Sequence, residues 1–279
     1  RFPLGCLGSS VYAGIVTPEH ALSAIADDGT TLAQALADPR CGPLDDVPVR
    51  DGAADAAAYL ELHVEQGPIM EAAGARLGIV TAIAGQRRLR ATVEGTSGHA
   101  GTVPMGMRAD ALCDASELIL ALERAAREAG DAVATVGRVV VEPIGINGGP
   151  WRGMGARDLR SPEDAKLDAI ESAFDAAARK SERDRGVRIA LEAFERRTPT
   201  PMTPALRDAL RAAIEGLGER ALDVPSGAGH DAMSLGKIVP TAMLFVPSIG
   251  GRSHVGEERT DDADLELGVP MDPADVFPI

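Results

Sequence analysis

Short apolar runs alternate along the chain with longer stretches in which apolar residues recur every third or fourth position. That pattern predicts a mixed α/β fold. Residues 60–64 and 77–84 read as strands, the second nearly all apolar and rich in β-branched residues. Residues 89–94, 132–141 and 187–194 predict three more, and Thr241–Val246 is the apolar run expected at a sheet's centre, covered on both faces. Residues 108–129 place Leu112, Ala115, Leu118, Ile119, Leu122 and Ala126 at helical spacing and predict a long amphipathic helix. Thr17-Pro18-Glu19 predicts a helix towards Asp27, and the Ala-rich residues 53–59 read as helical. Ser161-Pro162-Glu163-Asp164 predicts a capping box opening a helix to about Arg183, and Thr203-Pro204 opens another through Ile214 to Leu217. From about Gly85 to Arg197 the order is strand, helix, strand, Gly-rich segment, helix, strand. This is an α+β unit inserted between two pieces of a second domain. No internal repeat, coiled coil or low-complexity linker interrupts the pattern.

Composition narrows the function classes. The chain has 279 residues, enough for one large domain or two modest ones, and its core must be mostly aliphatic because only 3% of residues are aromatic. A formal net charge of −14 argues against nucleic acid as a partner, since phosphates would be repelled. A small anionic substrate stays compatible, because a local arginine can still hold a carboxylate. Cys6, Cys41 and Cys113 form neither a metal-type pair nor a disulfide framework, so a reducing cytoplasm is expected. No apolar run approaches the ~20 residues that span a bilayer, and none resembles a secretory signal.

Three local patterns carry candidate chemistry. Glu61-Leu62-His63-Val64-Glu65-Gln66-Gly67-Pro68 ends an apolar run on a histidine beside an acid, an amide and a Gly-Pro turn. A histidine there suits a metal at the C-terminal edge of a sheet, although a lone histidine is more often structural. Ser97-Gly98-His99-Ala100-Gly101-Thr102-Val103-Pro104-Met105 sets a second histidine in an exposed rigid loop. Gly250-Gly251-Arg252-Ser253-His254 sets a third after two glycines that let the backbone turn sharply. Ser226 lies outside a Gly-x-Ser-x-Gly elbow, which argues against a serine hydrolase, and the Gly-rich run from Gly145 lacks a P-loop ending.

Taken in order, these motifs resemble those of the metal-dependent amidohydrolases of the M20 peptidase superfamily. So do Arg1-Phe2-Pro3, Leu7-Gly8-Ser9, Ser226-Gly227-Ala228-Gly229-His230-Asp231-Ala232 and residues 245–257. The similarity points to the hydantoinase/carbamoylase branch: allantoate amidohydrolases, N-carbamoyl-L-amino acid hydrolases and β-ureidopropionases. It implies a catalytic α/β domain (1–84 and 199–279) interrupted by an α+β lid and dimerisation domain (85–198). It implies His63 and His254 as metal ligands in a centre of two divalent ions, Zn²⁺ or Mn²⁺. In the family a first histidine, a bridging aspartate and a Glu-Glu pair lie upstream of the Arg-Phe-Pro motif. That motif here is residues 1–3, so an incomplete metal site is expected. A catalytically inactive, dimeric remnant is therefore the reading of another class.

The resemblance also gives His99 a role in the neighbouring subunit's site of a homodimer, on the substrate or the tetrahedral oxyanion. The alternative is a histidine capping the next helix. Asn147 and Arg160 would hold the substrate carboxylate, and Gln86, with Arg87 beside it, would contact substrate, unless Arg87 is a surface charge at a hinge. His230 would bind substrate while Asp231 caps the helix after it, and Glu257 would orient the loop or ring of His254. The substrate class is a small anionic ureido compound. Thr135-Val136-Gly137 and the His99 motif lean towards allantoate, with an N-carbamoyl-L-amino acid as the other candidate. Residues 148–157 depart from the family pattern. Four glycines and no alternation before Arg157 predict a poor strand, the kind of break that a short frame shift or natural divergence leaves. Residues 268–279 hold three prolines where relatives have a helix.

Overall fold

A computed structural model describes residues 2, 5–38, 40, 56–142, 147–150 and 152–269, with the backbone alone at Met154. Arg1, Pro3, Cys41, residues 53–55 and the Pro-containing end 270–279 lie outside the described residues. In chain order the strands are β1 (Tyr59–Val64), β2 (Leu77–Ile83), β3 (Gly85–Glu94), β4 (Val133–Glu142), β5 (Arg152–Ser161), β6 (Arg188–Arg197), β7 (Thr200–Pro201), β8 (Ala221–Ser226) and β9 (Thr241–Val246). Two compact units result: residues 1–83 with 200–279, and residues 84–199. Among the described residues no helix is long and apolar enough to cross a membrane.

In the first unit β9 lies between β1, its parallel partner, and β2, with β7 and β8 also on β2. Every residue of β9 is buried, as its apolar run predicts. Strand alternation splits the core by parity. Ala242, Leu244 and Val246 join Leu77, Ile79 and the apolar face of the Pro204–Gly216 helix (Leu206, Leu210, Ile214), whereas Met243 and Phe245 join Met70, Val224 and Ala232. β1 follows the same rule, with Leu60 and Val64 packing on the first cluster and Tyr59 on the second. Its register sets His63 opposite Phe245. The polar odd positions of β1 are thereby aimed at the second face.

The second unit is a four-stranded antiparallel sheet in the order β4-β5-β3-β6. The Ala111–Ala129 and Asp164–Arg185 helices cover one face of it, packing Leu118, Leu122, Leu167, Ile170 and Phe174 against Val93 and Leu159. Arg87 reaches into the same layer and is bound by Asp164, Asp168 and Glu171.

Several expectations change. Residues 148–157 were expected to form no proper strand, yet from Arg152 onward they belong to β5, paired on both sides. Two ladders hold its backbone, so glycine's poor strand propensity is outweighed by tertiary pairing. Glycine also permits close helix packing here: a Cβ at Gly153 would lie 3.4 Å from Ala115 Cβ. The expected capping box does not form. Ser161 closes β5, its Oγ accepts from Glu163 N at 3.2 Å, and the helix starts at Asp164 without a side-chain cap. The helix from Thr17 stops at Ser23, because Ile25 bridges Thr31 across a turn at Gly29 (φ 81°). Residues 56–58 are not helical. The long helix starts at Ala111 rather than Arg108, because Asp110 accepts from Leu112 N and Cys113 N as its cap.

One glycine holds the 96–109 loop. Thr96 N donates to Ala109 O at 2.8 Å, and a Cβ on Gly95 would sit 2.0 Å from that oxygen. Gly95→Ala is expected to cost ~1–3 kcal/mol, as for overpacked sites. Chemical denaturation measures it, and a variant as stable as the parent would show that the loop relaxes freely.

Candidate active site

Four side chains converge on the second face of the first unit's sheet. Tyr59, Glu61 and His63 alternate along β1, and His230 arrives from the turn after β8. The His63 and His230 rings meet edge to face with centroids 4.6 Å apart, and Phe245 backs both at 6.5 and 5.7 Å. His63 Nδ1 lies 2.8 Å from the Val64 carbonyl. A carbonyl only accepts, so Nδ1 carries a proton and Nε2 is the nitrogen left for another partner, the arrangement of a metal-ligating imidazole.

His230 is buried and hydrogen-bonds Ser226 Oγ through Nε2 at 2.7 Å, while its Nδ1 stands 3.7 Å from Glu61 Oε1. Burial, reinforced by His63, pulls the His230 imidazole down to about 4, so it is neutral at physiological pH. Glu61 accepts from Tyr59 Oη at 3.2 Å and from Ala232 N at 2.9 Å. Burial pushes its carboxyl above the ordinary range, and burial with the nearby Glu61 charge pushes the Tyr59 phenol up. Glu61, not Asp231, therefore caps the Ala232–Leu235 helix. Asp231 accepts instead from Ser9 Oγ at 2.7 Å.

His254 approaches through a strained corner. Gln66 (φ 60°) and His254 (φ 59°) both adopt left-handed backbone, uncommon for residues other than glycine. Gln66 N donates to Ser248 Oγ at 3.0 Å, and its amide reaches Ser253 Oγ at 3.0 Å and His254 Nε2 at 3.4 Å. Gly250 and Gly251 have φ of 65° and 62°, and a Cβ at Gly251 would lie 2.8 Å from Pro68 N, so the His254 loop lies directly on the Gly67-Pro68 turn. Glu65 fastens that turn by accepting from Ile69 N and Met70 N at 2.7 and 3.0 Å. The acid that steadies the loop is Glu258, which accepts from His254 N at 2.8 Å, rather than the expected Glu257.

The second unit holds the other candidates in two places. His99 bridges Gly148, Ala100 N donates to Asn147 O at 3.0 Å, and His99 Nδ1 accepts from Gly101 N and Thr102 N at 3.0 and 3.2 Å. The ring therefore braces its own loop instead of capping the next helix. It lines a cavity of about 120 Å³ with Ser97, Arg108 and Asp110. Arg160 and Gln86 face each other across β5 and β3 and share Asp158, which also takes Arg88. Asn147 and Arg160 are not brought together within this unit. They flank opposite ends of β5, about 26 Å of extended chain apart from Arg152 to Arg160. Arg87 is buried among acids, which removes it from both surface and substrate roles.

Among the described residues no group of three or more His, Cys, Asp or Glu side chains is arranged to hold a metal. The donors these residues offer are imidazoles: His63 with a free Nε2, and His254 on its strained loop. Glu61 and Gln66 escaped the sequence reading as positioning residues although both stand in the His63 motif. Only the parity of β1 reveals that Glu61 shares the face of His63. Glu61→Ala removes the Ala232 cap and is expected to cost ~1–2 kcal/mol. Glu61→Gln keeps an acceptor oxygen and should cost clearly less. Equal losses in thermal unfolding would contradict the capping role.

The peptidase family M20/M25/M40 model matches residues 28–271. The chain is 38% identical over 272 residues to an N-carbamoyl-L-amino-acid amidohydrolase of Paenarthrobacter aurescens, covering 97% of this chain and 66% of that protein. It is 35% identical over 271 residues to an allantoate amidohydrolase of Bacillus subtilis, covering 96% and 65%. A crystal structure of a hydantoinase/carbamoylase family amidase from Burkholderia multivorans superposes with a TM-score of 0.89 at 38% identity, over 99% of this chain and 65% of that one. The chain thus spans just under two thirds of the length of these relatives.

Proposed function

The chain belongs to peptidase family M20/M25/M40, and we propose that it serves as a metal-dependent amidohydrolase cleaving the ureido C–N bond of allantoate or a related N-carbamoyl amino acid. The observation that carries this reading is the His63 site: an imidazole with Nδ1 tied to a carbonyl and Nε2 without a hydrogen bond among the described residues, set on a parallel strand end and joined through Gln66 to the His254 loop. The names and similarity of the relatives support the substrate class. An N-carbamoyl-L-amino acid is the second reading, favoured by the 38% identity to the Paenarthrobacter enzyme against 35% to the allantoate amidohydrolase.

His63 and His254 would hold divalent metal, Zn²⁺ or Mn²⁺, within a centre of two ions. The ions supply a polarised carbonyl and an activated water when bound. Around them His230 stays neutral and packs against His63, fixing its ring, while Ser226 fixes His230. Arg160, in the planar grip that guanidinium gives a carboxylate, would orient the substrate's acid end, and Asp158 sets the plane of its fork. His99 would donate to the developing oxyanion through Nε2, since its Nδ1 accepts from two backbone amides.

The lid would pair with a second lid in a homodimer, setting His99 and Asn147 of one subunit over the partner's metal histidines. Two features support this. β4 ends the sheet and exposes Val133 and Val139, and Asn147 with His99 stands at the opposite end of β5 from Arg160.

In the native full-length protein, His99→Ala is expected to lower kcat for ammonia release from allantoate or an N-carbamoyl-L-amino acid by ~10²–10³-fold, the scale for one lost oxyanion donor. Parent-like turnover by the variant would remove His99 from the chemistry, and no turnover of either substrate by the parent would sink the substrate class. Mixing His99→Ala subunits with His63→Ala subunits tests the dimer. Partial recovery of activity in verified mixed dimers is expected, whereas none at all would place His99 in its own subunit's site.

A further inference from the structure

The loop that carries His99 is gripped by one charged side chain. The guanidinium of Arg108 donates through Nε to Val103 O at 2.9 Å and through Nη2 to Ala100 O at 2.5 Å. These two carbonyls bracket Gly101 and Thr102, whose backbone N–H groups both donate to His99 Nδ1. Among the described residues no acid forms an ion pair with Arg108, so its charge is met by carbonyl dipoles.

One peptide unit joins the two sets of contacts. Ala100 O and Gly101 N belong to the same planar group, and in a trans peptide C=O and N–H point to opposite sides. Arg108 therefore holds one edge of a plate whose other edge holds the His99 ring. Fixing the carbonyl fixes the direction of the N–H across from it. A cationic donor also bonds that carbonyl more strongly than a neutral one, and the polarised amide passes the effect to its N–H. An N–H that donates to Nδ1 keeps the proton of a neutral imidazole on Nε2.

The clamp has a firm base. Ala109, next to Arg108, accepts from Thr96 N at 2.8 Å, and Asp110 caps the Ala111–Ala129 helix. Residues 147–149 hold the other side of the loop, where Ala100 N donates to Asn147 O and Gly149 N to Gly98 O at 2.9 Å. Those contacts stop at Ala100. Beyond it the loop is tied by Arg108, by the His99 ring and by Val103 N, which donates to His99 O at 3.4 Å. Arg108 and His99 also share the wall of the 120 Å³ cavity. A lysine could not reproduce the grip, because it offers a point charge in place of a planar fork.

We propose that Arg108 is a positioning residue for His99: its fork orients the Ala100–Gly101 peptide so that the imidazole keeps Nδ1 as an acceptor and its proton on Nε2. The catalytic consequence rests on the proposed role of His99 as oxyanion donor. The clamp itself rests on the hydrogen bonds of the loop alone.

Nitrogen NMR of the full-length protein, labelled at histidine and held above the ordinary imidazole range, reads the tautomer directly. His99→Ala identifies the resonances. The parent is expected to show His99 in the Nε2–H form. Arg108→Met keeps the apolar stem and removes the fork, and should move His99 to a mixture of tautomers. In turnover of allantoate or an N-carbamoyl-L-amino acid the same variant should lower kcat ~10–10²-fold, the scale of a misplacement of about 1 Å, with KM little changed. In a His99→Ala background it should change kcat by less than about twofold, since the group it positions is gone. Arg108→Lys retains the charge without the fork and should fall between the Met variant and the parent. A parent-like tautomer in Arg108→Met, or in Arg108→Lys if only that variant folds, would overturn the proposal. So would equal losses of kcat with and without His99, the mark of a residue that serves the fold alone. The two readings fail separately: the spectrum tests the clamp without turnover, and His99→Ala tests the chemistry with Arg108 in place.

Discussion

The parallel pairing of β1 with β9 is the constraint on which the first unit's chemistry rests. β9 is apolar and buried on both faces, so its position is fixed by cores above and below it. β1 is not self-sufficient in this way, since it interleaves Leu60 and Leu62 with Tyr59, Glu61 and His63. Pairing Leu62 with Leu244 and His63 with Phe245 sends the polar set to the face where Phe245 and His230 stand. A slip of one residue would exchange the faces, burying Glu61 and His63 against the Pro204–Gly216 helix. The burial of carboxylate and imidazole without their partners is what makes that alternative costly. The register that forms the core therefore also forms the site.

The same reasoning shows what the sequence made legible. The apolar runs of β2 and β9 and the body of the Ala111–Ala129 helix follow from period and punctuation alone. The His63 and His254 motifs were visible because glycine, proline and histidine leave sharp local patterns. The role of Glu61 was not, because it depends on Ala232, 171 positions away. Nor was the choice of Glu258 over Glu257, which is decided by the turn of one loop. β5 failed for a different reason. Its glycines carry no local signal for a strand, and what makes it one is two neighbouring ladders contributed by β3 and β4. Non-local pairing of that kind cannot be read from a window of ten residues.

Each unit holds a buried polar centre, and their contrast is informative. Around His230 each group answers another: Ser226 to its Nε2, Glu61 beside its Nδ1, and Tyr59 and Ala232 N to Glu61. A network satisfied in this way fixes ring planes and tautomers, which is what a ligand histidine beside it requires. Around Arg157 the Phe174 ring packs on the guanidinium, and its nitrogens have no hydrogen-bond partner among the described residues. The first centre closes its hydrogen bonds with groups of its own, whereas the guanidinium of the second finds no partner among the described residues. Geometry thus separates a polar cluster built to position a neighbour from a buried cation left without a hydrogen-bond partner among the described residues, and the apolar packing of the second unit has to carry the cost of the second.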